Sequence, residues 1–142
     1  MAALESLKSR INRNGDVNDP NVPRPIVTLE EFFEGNDDYG SIGYNFYPDQ
    51  PSPSEFYEVF KRIRERPDVA DVLVEVSQQE MPDEWPSTDT VWMLTSASLE
   101  EVASWLGERF QADELWDGWT DHLVREPVDV PLHCRPVGVW WD

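Results

Sequence analysis

Glu34–Pro48 reads E-G-N-D-D-Y-G-S-I-G-Y-N-F-Y-P. It opens as an acidic, glycine-punctuated loop. From Ser41 it alternates as a strand does, with Ile42, Tyr44 and Phe46 on one side and Gly43, Asn45 and Tyr47 on the other. Pro48-Asp49-Gln50-Pro51 ends the alternation. The expectation is a central strand over Ser41–Tyr47, and the rest of the chain is arranged around it.

Downstream, Ser52-Pro53-Ser54-Glu55 has the S-x-x-E form in which hydroxyl and carboxylate reciprocally satisfy the first backbone donors of a helix. Pro53 stands where a missing N–H costs nothing. Phe56, Val59, Phe60 and Ile63 form one apolar stripe, and Lys61, Arg62, Arg64 and Arg66 complement the dipole of the last turns. Val69–Val76 is a valine-rich strand, Ser77–Thr88 a long hairpin loop and Thr90–Thr95 the returning strand. Ser98-Leu99-Glu100-Glu101 opens a second helix, with Leu99, Val102, Ala103, Leu106 and Phe110 inward. Gln111–Pro136 is too long for a plain connection and reads as an insertion, with a helical turn or two around Leu115, Trp116, Trp119 and Leu123. Val137–Asp142 closes as a strand.

Two strand–helix–strand units joined by a hairpin predict an α+β chain of ferredoxin-like, split βαββαβ type. Right-handed crossovers would order the strands fourth, first, third, second, with both helices on one face of an antiparallel sheet. The other face is left to the N-terminal segment, the insertion or a partner.

Upstream, Thr28-Leu29-Glu30-Glu31 is another capping box, leading into Phe32 and Phe33 and closed by Gly35; Ile26–Phe33 also reads as a strand. Leu4, Leu7 and Ile11 give Met1–Arg13 an amphipathic helical spacing, and Asn14–Arg24 is turn chemistry. Residues 1–24 are expected as a mobile arm and linker, and 25–142 as one domain.

Charge is the outlying property. Eleven Lys and Arg stand against 29 Asp and Glu, a net charge of −18. The first 24 residues hold Lys8, Arg10, Arg13 and Arg24 against Glu5, Asp16 and Asp19, which leaves 7 basic and 26 acidic residues beyond them. Such a field repels nucleic acid and anionic lipid and accelerates encounter with basic proteins; alternatively it serves solubility alone. The single cysteine, Cys134, fits a reducing compartment. Met1–Gly15 lacks the uninterrupted apolar core of a signal peptide, and no window approaches the roughly 18 apolar residues of a membrane span. A cytoplasmic protein is expected.

No catalytic motif stands out. His133 and Cys134 are adjacent, so on an extended chain they point apart, and no G-x-S-x-G, P-loop or G-x-G-x-x-G motif occurs. His122, His133 and Cys134 lack the paired spacing of a zinc site, and Asn36–Ser41 lacks the alternating oxygen ligands of a calcium loop. No catalytic residue, metal or cofactor is assigned.

What remains is recognition by acidic loops that carry tryptophan. The candidate partner-binding residues are Asp37, Asp38, Asp83, Glu84 and Trp85, and, in the insertion, Asp113, Glu114, Trp116, Asp117 and Trp119, with Glu80 beside them. The bland alternative is that the tryptophans fill the core and the carboxylates form a solvated rim. Pro23–Asn45, together with the W-W-D end, resembles small acidic bacterial proteins without assigned activity; chains of this texture resemble immunity proteins, which bind and block a cognate, often basic, toxin enzyme. The resemblance implies a basic protein partner such as a toxin, and transfers no residue role. Two other expectations stand beside it: a ligand pocket on an open sheet face lined by Tyr44, Tyr47, Trp92 or Trp140, and a homodimer through that face.

Overall fold

The computed structural model describes residues 2–46, 49–120 and 124–142. In chain order they form α1 (Ala2–Ile11), β1 (Ile26–Thr28), α2 (Leu29–Phe33), α3 (Pro53–Arg64), β2 (Val69–Glu75), β3 (Thr90–Thr95), α4 (Leu99–Leu106), β4 (Glu114–Asp117) and β5 (Arg135–Trp140). The five strands make one antiparallel sheet in the order β1-β2-β3-β5-β4. The α+β class holds.

Local chemistry sets the helix starts. At Thr28, Ser52 and Ser98 the hydroxyl accepts the N–H of the third helical residue at 3.0–3.1 Å, while that residue's glutamate accepts the cap N–H at 2.9–3.2 Å. Both expectations for Ile26–Phe33 are met in part: three residues pair with β2, and the capping box then turns the chain into a helix of five.

The expected first strand does not form, and with it goes the ferredoxin-like order. Ser41–Phe46 runs through bends and turns, while Tyr47 lies outside the described residues. Gly43 takes φ +65°, and a β-carbon there would lie 2.6 Å from the Phe56 ring, so the chain bends where it presses on α3. The alternating residues do not share a face, since Ile42 is buried and Tyr44 is exposed. β5 takes the vacant place and pairs directly with β3, Val91 opposite Val139 and Leu94 opposite Pro136.

One face of the sheet carries the helices. Phe56, Val59, Phe60 and Ile63 of α3 and Val102 and Leu106 of α4 meet Val72, Val74, Val91, Met93, Val137 and Val139. Phe56 sits among Phe60, Phe110 and Trp141 at centroid distances of 5.2–5.9 Å. The N-terminal segment belongs to this core rather than forming a mobile arm: Leu7 and Ile11 are each 2% exposed. Arg10 holds both oxygens of Glu126 at 2.7 and 3.1 Å and pins α1 to the chain beyond β4.

The other face is covered by the segment between β4 and β5. Trp116, Trp119, Val128 and Val130 pack over Ile26, Leu73, Trp92 and Leu94. Gly138 makes room for this layer, because a β-carbon there would stand 2.7 Å from Trp116 and 2.9 Å from Trp92. No helical turn marks Leu115–Trp119; Glu114–Asp117 is instead an edge strand, and Leu123 lies outside the described residues. Under this layer lies Glu75, whose side chain is 1% exposed. Its Oε1 accepts from Trp92 Nε1 and Arg125 Nε, both at 2.9 Å, and its Oε2 accepts from Arg24 Nη1 at 3.0 Å. Arg125 also lies over the rings of Trp92 and Trp119 at 5.1 and 5.4 Å and donates to Thr120.

Replacing Glu75 by Gln keeps the shape but leaves Arg125 buried without its counter-charge. Breaking one partner of such a pair costs about 3–5 kcal/mol, so urea unfolding of E75Q should show a loss of that order. Glu126 gives a pH signature. Burial raises its pKa, but the Arg10 hydrogen bond, the Ile26 N–H and the charges of Arg10 and Arg13 outweigh this and hold it below the ordinary carboxylate value. A depressed native pKa stabilises above the unfolded value, about 4.3, and that contribution fades as pH falls through the native one. Urea titrations between pH 7 and pH 3 should find E126Q less acid-sensitive than the parent below about pH 4.3.

Candidate functional site

The loops after α2 and after β2 face one another across a cleft of about 300 Å³. Asp38, Tyr44, Glu80, Glu84 and Trp85 line it. Asp38 builds it: one oxygen accepts the Gly40 N–H at 2.8 Å and the other the Trp85 N–H at 3.3 Å, so this carboxylate ties the two loops together. Trp85 is 9% exposed and donates through Nε1 to the Phe32 carbonyl at 2.8 Å, so it anchors its loop in the core and shows the cleft only a small part of its surface. The exposed apolar groups near these loops are instead Tyr39, Tyr44 and Met81, each about half exposed.

Sheet register brings part of the second acidic segment to the same end. Ile26, Glu75, Thr90, Trp140 and Glu114 stand in a row across the strands, so the β2–β3 loop, the approach to β4 and the C-terminus all leave from one end of the sheet. Asp113 accepts the Asp142 N–H at 2.7 Å, and Trp141 N–H reaches the Asp89 carbonyl at 3.0 Å. Asp37, Asp83 and Glu84 are exposed there, as are Asp113 and Glu114, although Glu114 accepts from Trp116 Nε1 at 2.8 Å. Asp117 does not join them; it pairs with Arg135 at 2.8 Å, farther along β4. Trp116 stacks on Trp140 and Trp119 packs on Trp92 at 4.5 Å, so both belong chiefly to the covering layer.

The fold pairs some of its carboxylates and leaves others without a cation, those of this end among the latter. Glu30, Glu31, Glu55, Glu58, Asp68, Glu75, Asp117 and Glu126 each meet an arginine or lysine. Among the described residues, Asp37, Asp38, Glu80, Asp83, Glu84, Asp89, Asp113 and Glu114 form no ion pair. Tyr44 registers the resulting field: burial first, then the charges of Asp89, Asp142 and Glu80, raise its phenol above the usual value of 10.0.

The expected pocket on an open sheet face is absent from the described residues in the form anticipated. Trp92 is fully buried, Tyr44 stands on the loop, and Tyr47 lies outside the description. Among the described residues no group of three or more His, Cys, Asp and Glu is arranged to hold a metal ion. His133 takes φ +73° in an exposed turn beside half-buried Cys134, and His122 falls outside the described residues. No described helix is long and apolar enough to cross a membrane. Sequence patterns missed Glu75 and its two arginines; the available signal was a glutamate on the same strand face as Leu73, where burial demands a partner.

The Tyr44 phenol offers a direct gauge of the acidic cleft. Ultraviolet titration should place its ionisation above that of a free tyrosine, and Glu80→Gln with Asp89→Asn should lower it while burial keeps part of the shift. An unchanged titration in the double variant would separate Tyr44 from these charges.

The protein described as "Uncharacterized protein YfbO" from Escherichia coli (strain K12) is 45% identical over 142 residues, covering all of both chains. No solved structure matches. Residues 2–139 match the family described as the uncharacterized protein YfbO family, and the chain belongs to that family.

Proposed function

We propose that this protein is a cytoplasmic protein-binding module that takes a basic protein partner at the acidic end of its sheet, as an immunity-type inhibitor or regulator does. The observation that carries this reading is the set of carboxylates without cations, among the described residues, that two loops and the sheet register bring to one end. Unpaired surface carboxylates of one sign attract an oppositely charged partner over about a Debye length and set its orientation before contact. Tyr39, Tyr44 and Met81 then supply apolar area beside the charge.

Charge reversal separates this reading from a general polyanion effect. Asp83 and Glu84 are exposed and form no ion pair among the described residues, so Asp83→Lys/Glu84→Lys leaves the core untouched. Immobilised parent protein should capture a basic protein at low salt, and the association rate should drop at least about tenfold in the variant. Reversing Glu58 and Glu100, exposed on α3 and α4, changes the net charge equally and should have little effect. Equal capture by both variants, or no protein captured by the parent, would overturn the proposal.

A further inference from the structure

A shallow groove of about 400 Å³ runs between α3 and α4. Ile63, Trp105 and Leu106 form its floor, and Arg62, Arg66 and Arg109 its rim. On a chain with only eleven basic residues against 29 acidic ones, this is a concentrated positive surface, although Glu108 also reaches its edge. The Arg66 guanidinium lies over the Trp105 ring at 4.3 Å, while its bond to Asp68 is long, at 3.4 Å. Arg109 meets the exposed carboxylates of Asp49 at 3.2 Å and Glu55 at 3.4 Å and also donates to the Asp49 carbonyl, and Arg62 forms no ion pair among the described residues. Exposed pairs of this kind contribute little and exchange readily for other carboxylates.

The complement is on the same molecule. Glu80-Met81-Pro82-Asp83-Glu84 is exposed throughout, and Met81, 51% exposed, stands between carboxylates as an apolar anchor. A thioether fits an aromatic floor, and the flanking carboxylates fit a rim of arginines. One copy cannot make the contact with itself. The chain from α3 enters β2 at Val69, whereas the loop leaves from the far end, about 20 Å away at roughly 3.3 Å per residue.

We infer that the Glu80–Glu84 loop of one molecule docks in the α3–α4 groove of a second copy. The contact is heterologous, so copies join loop to groove, into a ring where the rotation closes and an open chain where it does not. A single loop buries less than the roughly 1,200 Å² of a stable complex, which makes the association weak and visible at protein concentrations on the order of 0.1 mM and above. It covers the loop assigned to a basic partner, so the two occupants exclude each other; it does not depend on that partner, and failure of the capture experiment leaves it standing.

Sedimentation velocity at about 0.15 M salt, where a Debye length of ~8 Å screens whole-body repulsion, tests it. The parent should assemble with rising concentration. Arg62→Glu/Arg66→Glu, which spoils the groove, and Asp83→Lys/Glu84→Lys, which spoils the loop, should each weaken assembly about tenfold or more. Mixed together, the two variants offer an intact loop to an intact groove and a reversed loop to a reversed groove, and should co-assemble although neither does so alone. A chain carrying all four reversals should regain assembly, which excludes misfolding as the cause of the single-face losses. A parent that stays monomeric to about 1 mM overturns the inference, as do an assembly indifferent to both variants (the mark of a symmetric aromatic dimer) and a mixture that stays monomeric.

Discussion

A carboxylate that is 1% exposed beneath a tryptophan layer constrains everything around it. Glu75 leaves water only because three donors from three separate stretches of chain replace its hydration: Arg24 before β1, Trp92 on β3 and Arg125 before β5. Each donor therefore has to be delivered to the same point. The chain beyond β4 must fold back over the sheet to bring Arg125, and in doing so it lays Trp119, Val128 and Val130 across the second face. The backbone follows, with Arg24 N–H donating to the Val124 carbonyl and Glu126 N–H to the Arg24 carbonyl, each at 2.9 Å. A neutral residue at position 75 would pack, but it would not specify which loop covers this face.

The parts of this fold legible in the sequence are those written locally. A hydroxyl three residues before a glutamate marks a helix start because both partners lie on the same turn, and the stripe Phe56, Val59, Phe60, Ile63 marks its inner face. The Ser41–Tyr47 reading failed for a related reason. Period-two alternation over six residues is also met by an irregular loop, and whether Gly43 extends or turns is decided by its contact with Phe56, a residue on another element. β4 was equally hidden: Glu114–Asp117 is only four residues long, is half solvated, and exists as a strand because β5 offers it a ladder. For the candidate site, acidity and loop position were readable in Asp83 and Glu84. That Trp85 turns inward to Phe32, and that Asp117 finds Arg135, depended on the tertiary fold.

A net charge of −18 says how strongly the chain repels its copies, not where it is sticky. Folding sorts that charge. Arginines brought from afar neutralise Glu75, Glu126 and Glu30, and the glutamates of the capping boxes spend their oxygens on helix N–H groups. Of the carboxylates that remain, Glu80, Asp83, Glu84, Asp89, Asp113 and Glu114 stand where the β2–β3 loop, the C-terminus and the entry to β4 meet. The uneven field is thus a consequence of which acids the fold uses structurally.

The same sorting decides which surfaces remain available for association. Sheet edges are the usual hazard, because unpaired N–H and C=O groups accept any extended chain. Here one edge is occupied: residues 124–126 pair with Arg24, and the Glu126 carboxylate takes the Ile26 N–H at 2.9 Å. The other edge, β4, is short and carries exposed carboxylates at Glu114 and Asp117, which repel a second copy of the same strand. With strand pairing discouraged at both edges, contacts between molecules are directed to side-chain surfaces. Those surfaces are opposite in sign, an acidic sheet end and an arginine-rimmed groove, so the geometry of any assembly follows from charge rather than from the sheet.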